Sequence, residues 1–242
     1  MTAFFTSSPC SPGCGELSEM NGLLAQLRQD LPARPLRCVY LAASPDDYEI
    51  NDLYSGLEKI RWEEAGFVFE SFTLLDDRCG EPLDALLADC DLAFLAGGHV
   101  PTQNAFYRAI GLREHLQNYT GVLFSISAGT MNAAETVYAL PERPGEATDP
   151  GYRKFYTGLG LTDVMVIPHY QELNFVVLDG KRTIEDIACP DSVGRCFYAL
   201  PDGSYFYKTS ELLELRGEAY RIQDGRMEQI SRYGDRQTFK KG

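Results

Sequence analysis

The sequence predicts an α/β fold: a mostly parallel β-sheet covered by helices on both faces, with an antiparallel β extension at the C-terminal end. Three observations predict it. Short apolar runs alternate with amphipathic stretches through the first half of the chain, the mark of βαβ units. The 242 residues, 44% of them apolar, suffice for the core of one such domain, so a single domain over 1–242 is expected. Beyond Leu200, short alternating strands are separated by Asp-Gly turn signals.

Five runs read as strands of the parallel sheet: 3–6, 36–42, 67–74, 92–95 and 121–125. Between them the stretches 17–31, 46–65, 82–88 and 102–117 carry apolar residues at helical spacing. Ser44-Pro45-Asp46 and Gly80-Glu81-Pro82 supply helix starts. From Tyr138 the sequence turns rich in Pro, Gly and Glu (Pro141, Pro144, Gly145, Pro150, Gly151), which reads as a long functional loop. Apolar runs at 165–168 and 196–200 follow, and then strands at 205–208, 212–216, 219–222 and 227–230. Pro201-Asp202-Gly203-Ser204 and Gln223-Asp224-Gly225-Arg226 read as hairpin turns.

The formal charge of −13 and pI near 4.7 argue against a nucleic-acid partner or an anionic membrane surface, because holding phosphates requires Lys and Arg to displace counterions. No basic-then-apolar leader follows Met1 and no run reaches the roughly 18 apolar residues of a membrane span, so a cytoplasmic protein is expected. Seven cysteines, an odd number, favour reduced thiols; Cys10 and Cys14 lack a second ligand pair at zinc spacing.

The segment with the most chemistry in it is Ser125-Ile126-Ser127-Ala128-Gly129, where an apolar strand runs into a small-residue helix start. A nucleophile elbow holds its Ser in a strained turn and needs small residues two before and two after it. Ser125 and Gly129 meet that requirement, although Ser125 replaces the usual Gly. The segment fits equally an ordinary βα turn with Ser127 as N-cap. A Ser needs a base, and three histidines are available. His115 sits on a polar helix face and His99 follows Gly97-Gly98. His169 ends an apolar run, so it projects from the sheet edge where open α/β sheets bind ligands; it is the better base, and a plain strand-end role remains open. An oxyanion hole needs two aimed N–H groups, for which Gly98 and Ala128 are placed, unless Gly97-Gly98 is ordinary turn chemistry.

Four segments together resemble the aspartyl dipeptidase (dipeptidase E) and cyanophycinase family of serine peptidases. They are Leu95-Ala96-Gly97-Gly98 with Pro101-Thr102-Gln103, the Ser127 segment, Pro168-His169-Tyr170, and Leu200-Pro201-Asp202-Gly203-Ser204. Their order and spacing span most of the chain. The resemblance implies a flavodoxin-like (class I glutamine amidotransferase-like) three-layer sandwich with a Ser-His-acid triad. It also implies an acid in the loop some fifteen or more residues past the nucleophile. Glu142, 15 positions on, is the expected acid, with Glu135, Glu146 and Asp149 as competitors. The family's preference for an acidic residue on the acyl side of the scissile bond implies a cation in the pocket. Arg182 is similarly placed and is the expected substrate contact together with His99, although Gly180-Lys181-Arg182 also fits a solvated turn.

The expected reaction is hydrolysis of a short peptide by a serine-type, dipeptidase-like peptidase. His169 deprotonates Ser127, Gly98 and Ala128 bind the oxyanion, Glu142 orients His169, and no metal or organic cofactor is required. A monomer or homodimer is expected. One alternative is a flavodoxin-like module holding a nucleotide or flavin on the loop from Thr6 to Gly15. Another is a catalytically inactive relative with a closed pocket.

Overall fold

The computed structural model describes residues 1–10 and 15–239. Five strands of the main sheet are parallel: β1 (Thr2–Thr6), β2 (Leu36–Leu41), β3 (Phe69–Leu75), β4 (Leu92–Leu95) and β5 (Val122–Ile126), in the spatial order β3-β2-β4-β5-β1. Successive side chains of a strand point to opposite faces, and these runs are apolar at nearly every position, so each strand feeds two cores. Phe4, Cys38, Tyr40, Phe94 and Phe124 pack with Leu23, Leu24 and Leu27 of α1 (Leu23–Asp30) and Trp62 of α2 (Tyr48–Glu64). Phe5, Val39, Leu41, Leu95 and Leu123 face Leu87 of α3 (Leu83–Ala88), Phe106 and Tyr107 of α4 (Val100–Ala109) and Leu112 and Leu116 of α5 (Leu112–Leu116). The result is the three-layer, flavodoxin-like arrangement.

After β5 the chain enters α6 (Ala128–Ala133) and the hairpin of β6 (Thr136–Tyr138) and β7 (Phe155–Thr157). It continues through β8 (Met165–Ile167), α7 (Tyr170–Leu173) and a small hairpin of β9 (Val177–Leu178) and β10 (Lys181–Arg182) to β11 (Cys196–Ala199). The remaining strands divide between two sheets. β12 (Tyr205–Lys208) and β13 (Leu213–Arg216) add antiparallel strands beside β1. β14 (Ala219–Gln223) and β15 (Arg226–Ser231) join β11 and β8 in a second sheet, ordered β15-β14-β11-β8. β16 (Arg236–Phe239) closes the main sheet against β13.

Several expectations shift in detail. The stretch 102–117 is two helices, because Gly111 adopts φ 63° and ends the first. The helix expected from residue 17 starts only at Leu23, since Asn21 (φ 53°) and Gly22 (φ 74°) are left-handed and the Asn21 amide donates to the Gly203 carbonyl at 2.8 Å. The turn at Gln223–Arg226 does close a hairpin. The segment from Pro201 to Ser204 does not: β11 and β12 lie in different sheets, and this segment carries the chain between them. β16, largely polar and exposed, has no counterpart among the expected strands.

Candidate active site

The site forms at the carboxyl ends of the parallel strands. The apolar strand β5 ends at Ile126, and Ser127 follows at φ 50°, ψ −114°, a conformation that L-residues avoid. The turn survives because its surroundings fix it. The Ser127 N–H donates to the Thr6 and Ser7 carbonyls, and Ser125 donates its hydroxyl to the Phe4 carbonyl at 3.1 Å. A Cβ on Gly129 would meet the Leu95 and Ala96 carbonyl oxygens at 2.5 and 2.8 Å, so only Gly lets α6 leave the elbow this close to β4. The elbow geometry thus belongs to the sequence pattern around Ser127.

His169 sits just past β8, also left-handed at φ 54°, ψ 35°. Its Nε2 lies 2.9 Å from Ser127 Oγ, and its Nδ1 lies 2.9 Å from Asp202 Oδ1. With Nδ1–H donating to the carboxylate, Nε2 is left as the acceptor of the Ser127 hydroxyl proton. Ser7, just past β1, ties His169 and Asp202 together: its hydroxyl donates to Asp202 Oδ1 at 2.8 Å and accepts the His169 backbone N–H at 2.7 Å. The Asp202 N–H donates to Gln171 Oε1 at 3.0 Å.

The electrostatics follow from these contacts. Burial works to lower the His169 pKa, but the hydrogen bond and charge of Asp202 outweigh it, and the net shift is above 6.5. Burial likewise works to raise the Asp202 carboxyl, and the bond to His169 outweighs it, leaving Asp202 below its ordinary 3.8. The pair is thus held as a carboxylate next to a readily protonated imidazole.

The residues expected from sequence fare differently. Ser127 and His169 are brought together. Glu142 is not the hydrogen-bond partner of His169, a place Asp202 takes: it is exposed, and its carboxylate lies 3.9 Å from His99 Nε2. The loop that holds Glu142 folds over His99, whose Nε2 lies 3.0 Å from Glu146, while Glu146 also accepts the Glu142 and Arg143 N–H groups. Arg182 lies outside the cleft, on β10, where Asp186 takes its guanidinium at 2.9 Å. Among the described residues, the Arg or Lys that lines the cleft is Arg143. The cleft measures about 590 Å³ and is bordered by Tyr40, Asp47, Tyr54, Gly98, His99 and Ser127 among others. Gly98 approaches so closely that an added Cβ would overlap that of Ala43, and its N–H, like that of Ala128, is taken up by no turn or cap acceptor among the described residues. In the loop proposed for a phosphate, 11–14 fall outside the described residues, Cys14 with them, and Ser7 is already committed to Asp202 and His169.

Asp202 was the residue most open to discovery. The runs 165–168 and 196–200 pair in parallel, with Ile167 opposite Ala199, so residues two or three beyond each must lie side by side. Read as a hairpin turn, the Asp-Gly pair concealed that placement. Ser7 and Gln171 carried no signal, since a strand-end Ser and a helical Gln are ordinary.

The site defines a class: an α/β protein with a Ser-His-carboxylate relay at an elbow on the sheet edge. Solved structures share its fold. The crystal structure of a peptidase from an acI-B1 Actinobacterium superimposes with TM-score 0.65 at 16% identity, covering 98% of this chain and 96% of that one. A candidate peptidase E from Listeria monocytogenes EGD-e gives TM-score 0.60 at 14% identity, covering 95% and 98%. No family model and no curated protein matches the sequence.

Proposed function

We propose that this chain is a serine-type peptidase acting on short peptides, with Ser127 as nucleophile, His169 as general base and Asp202 as the acid. The single observation that carries the reading is the continuous relay from Ser127 Oγ through both ring nitrogens of His169 to Asp202, each step 2.9 Å, built on a strained elbow. Strain at a non-Gly residue persists where function needs it. The Ser127 oxygen attacks the scissile carbonyl as His169 takes its proton. The N–H groups of Gly98 and Ala128 receive the oxyanion, and His169 then protonates the leaving amine. Water, deprotonated by the same imidazole, releases the acyl group. The likeness in fold to two structures named as peptidases supports the choice of amide over other acyl substrates.

An acidic residue on the acyl side fits Arg143, a cleft-lining guanidinium whose charge is felt by the adjacent Glu142. Arg182 is already paired and does not serve. The test is labelling with a fluorophosphonate probe alongside cleavage of aspartyl dipeptides, in wild type, Ser127→Ala, His169→Ala and Arg143→Met. Ser127→Ala and His169→Ala should lose labelling, and Arg143→Met should lose the preference for Asp over Asn substrates. Labelling that persists in Ser127→Ala overturns the mechanism; an unchanged preference in Arg143→Met overturns the pocket assignment.

A further inference from the structure

Helix α2 is built inside out. Its buried positions are Asn51, Ser55, Glu58 and Trp62, three of them polar, whereas Ile50, Leu53, Tyr54, Leu57 and Ile60 are between 44% and 54% exposed. At i, i+3, i+4, i+7 and i+10 those five form one continuous stripe. Single exposed apolar residues are normal on a protein surface, but a contiguous apolar stripe with polar groups beneath it is not.

We propose that this stripe is the interface between two copies of the chain, packed about a two-fold axis with their α2 helices antiparallel. The stripe is self-complementary in that arrangement. With the axis at Ser55, Ile50 meets Ile60 of the second copy and Leu53 meets Leu57, as an isologous contact requires. Antiparallel packing also opposes the two helix dipoles favourably, which parallel packing would not. The five side chains expose on the order of 500 Å² per copy, so about 1,000 Å² in the pair. The flanking charged residues bring this towards the roughly 1,200 Å² at which specific interfaces begin. Ile50 and Tyr54 also line the cleft, so the second copy would wall its mouth and favour short substrates. That consequence rests on the peptidase reading; the dimer does not.

The test is sedimentation velocity from about 1 to about 100 µM. Wild type should reach dimer, and a Leu53→Glu/Leu57→Glu variant should stay monomeric, with its dissociation constant raised at least ~100-fold by burying carboxylates in an apolar contact. Neither residue borders the cleft, so circular dichroism and the fluorophosphonate labelling rate should match wild type. Leu53→Cys and Leu57→Cys in one chain should give a disulfide-linked dimer on mild oxidation, because those positions face each other across the two-fold. A wild type monomeric at the top concentration, whether or not another protein binds it, overturns the proposal, as does a double-glutamate variant that dimerises as tightly. Failure of that cysteine pair to cross-link overturns the antiparallel arrangement. Loss of probe labelling in wild type would count against the hydrolase and leave the sedimentation result standing.

Discussion

Replacing Asp202 by Asn tests which carboxylate serves His169. Asp202 has a side chain only 12% exposed, and its Oδ1 accepts two hydrogen bonds, from His169 at 2.9 Å and from Ser7 at 2.8 Å. Hydrogen bonds to a charged partner are worth roughly 1.5–3 kcal/mol each, so losing the charge removes on the order of 3–6 kcal/mol from an arrangement that the imidazolium of the transition state needs most. Even an amide that keeps its oxygen towards His169 forfeits the charge; one that turns its NH₂ there forces the wrong tautomer. The rate should fall about 10³-fold or more, equivalent to at least ~4 kcal/mol. Glu142→Gln, which touches no atom of the relay, should stay within about 3-fold of wild type by the same reckoning. The assay is the second-order rate of fluorophosphonate labelling at Ser127, followed by intact mass, which requires no knowledge of the substrate. A slower rate in Glu142→Gln than in Asp202→Asn would refute the reasoning.

Three further outcomes are expected. His169 must be neutral to accept a proton and its pKa lies above 6.5, so labelling should rise with pH through a midpoint above 6.5; in Asp202→Asn the main upward influence on the imidazole is lost, burial is opposed only by the weaker charges of Glu172 and Glu142, and the midpoint should move down. Gly129→Ala drives a Cβ against backbone carbonyls at 2.5 and 2.8 Å, which should cost roughly 1–3 kcal/mol, read as a Tm several degrees lower. Phe124 is fully buried, with ring centroids 5.1 Å from Trp62 and 5.3 Å from Phe94. Phe124→Ala should therefore cost about 3–5 kcal/mol in chemical denaturation, while an unchanged midpoint would mean that these rings do not carry the core.

The fold was legible where one kind of interaction decides the outcome. Apolar runs such as 92–95 can only be strands buried on both faces, and β4 spans those same residues. The relay between Ser127 and His169 was legible because both end apolar strands, and strand ends gather at one edge. Its third member was not, because a turn sequence reports local backbone preference and says nothing of which sheet the next strand joins. Tyr205–Lys208 pairs with β1, some two hundred residues away in sequence, and that long-range pairing is what swings Asp202 onto His169. Arg182 failed for a similar reason: Asp186, four residues on, captures its guanidinium locally. The outward face of α2 was hidden by its own regularity, since helical spacing locates a stripe without telling which side is buried.

On the peptidase reading, the crossing from β11 to β12 would make hydrolysis a reporter of how the smaller sheet is seated. Ser127 stands on the large sheet; His169 caps a strand of the small one, and Asp202 hangs on the strap between the two. A fluctuation that unzips β8 and β11 would part the relay while the five-strand centre stayed intact. Turnover should therefore fade on warming before global melting, and amide exchange in β8 and β11 should accelerate over the same interval.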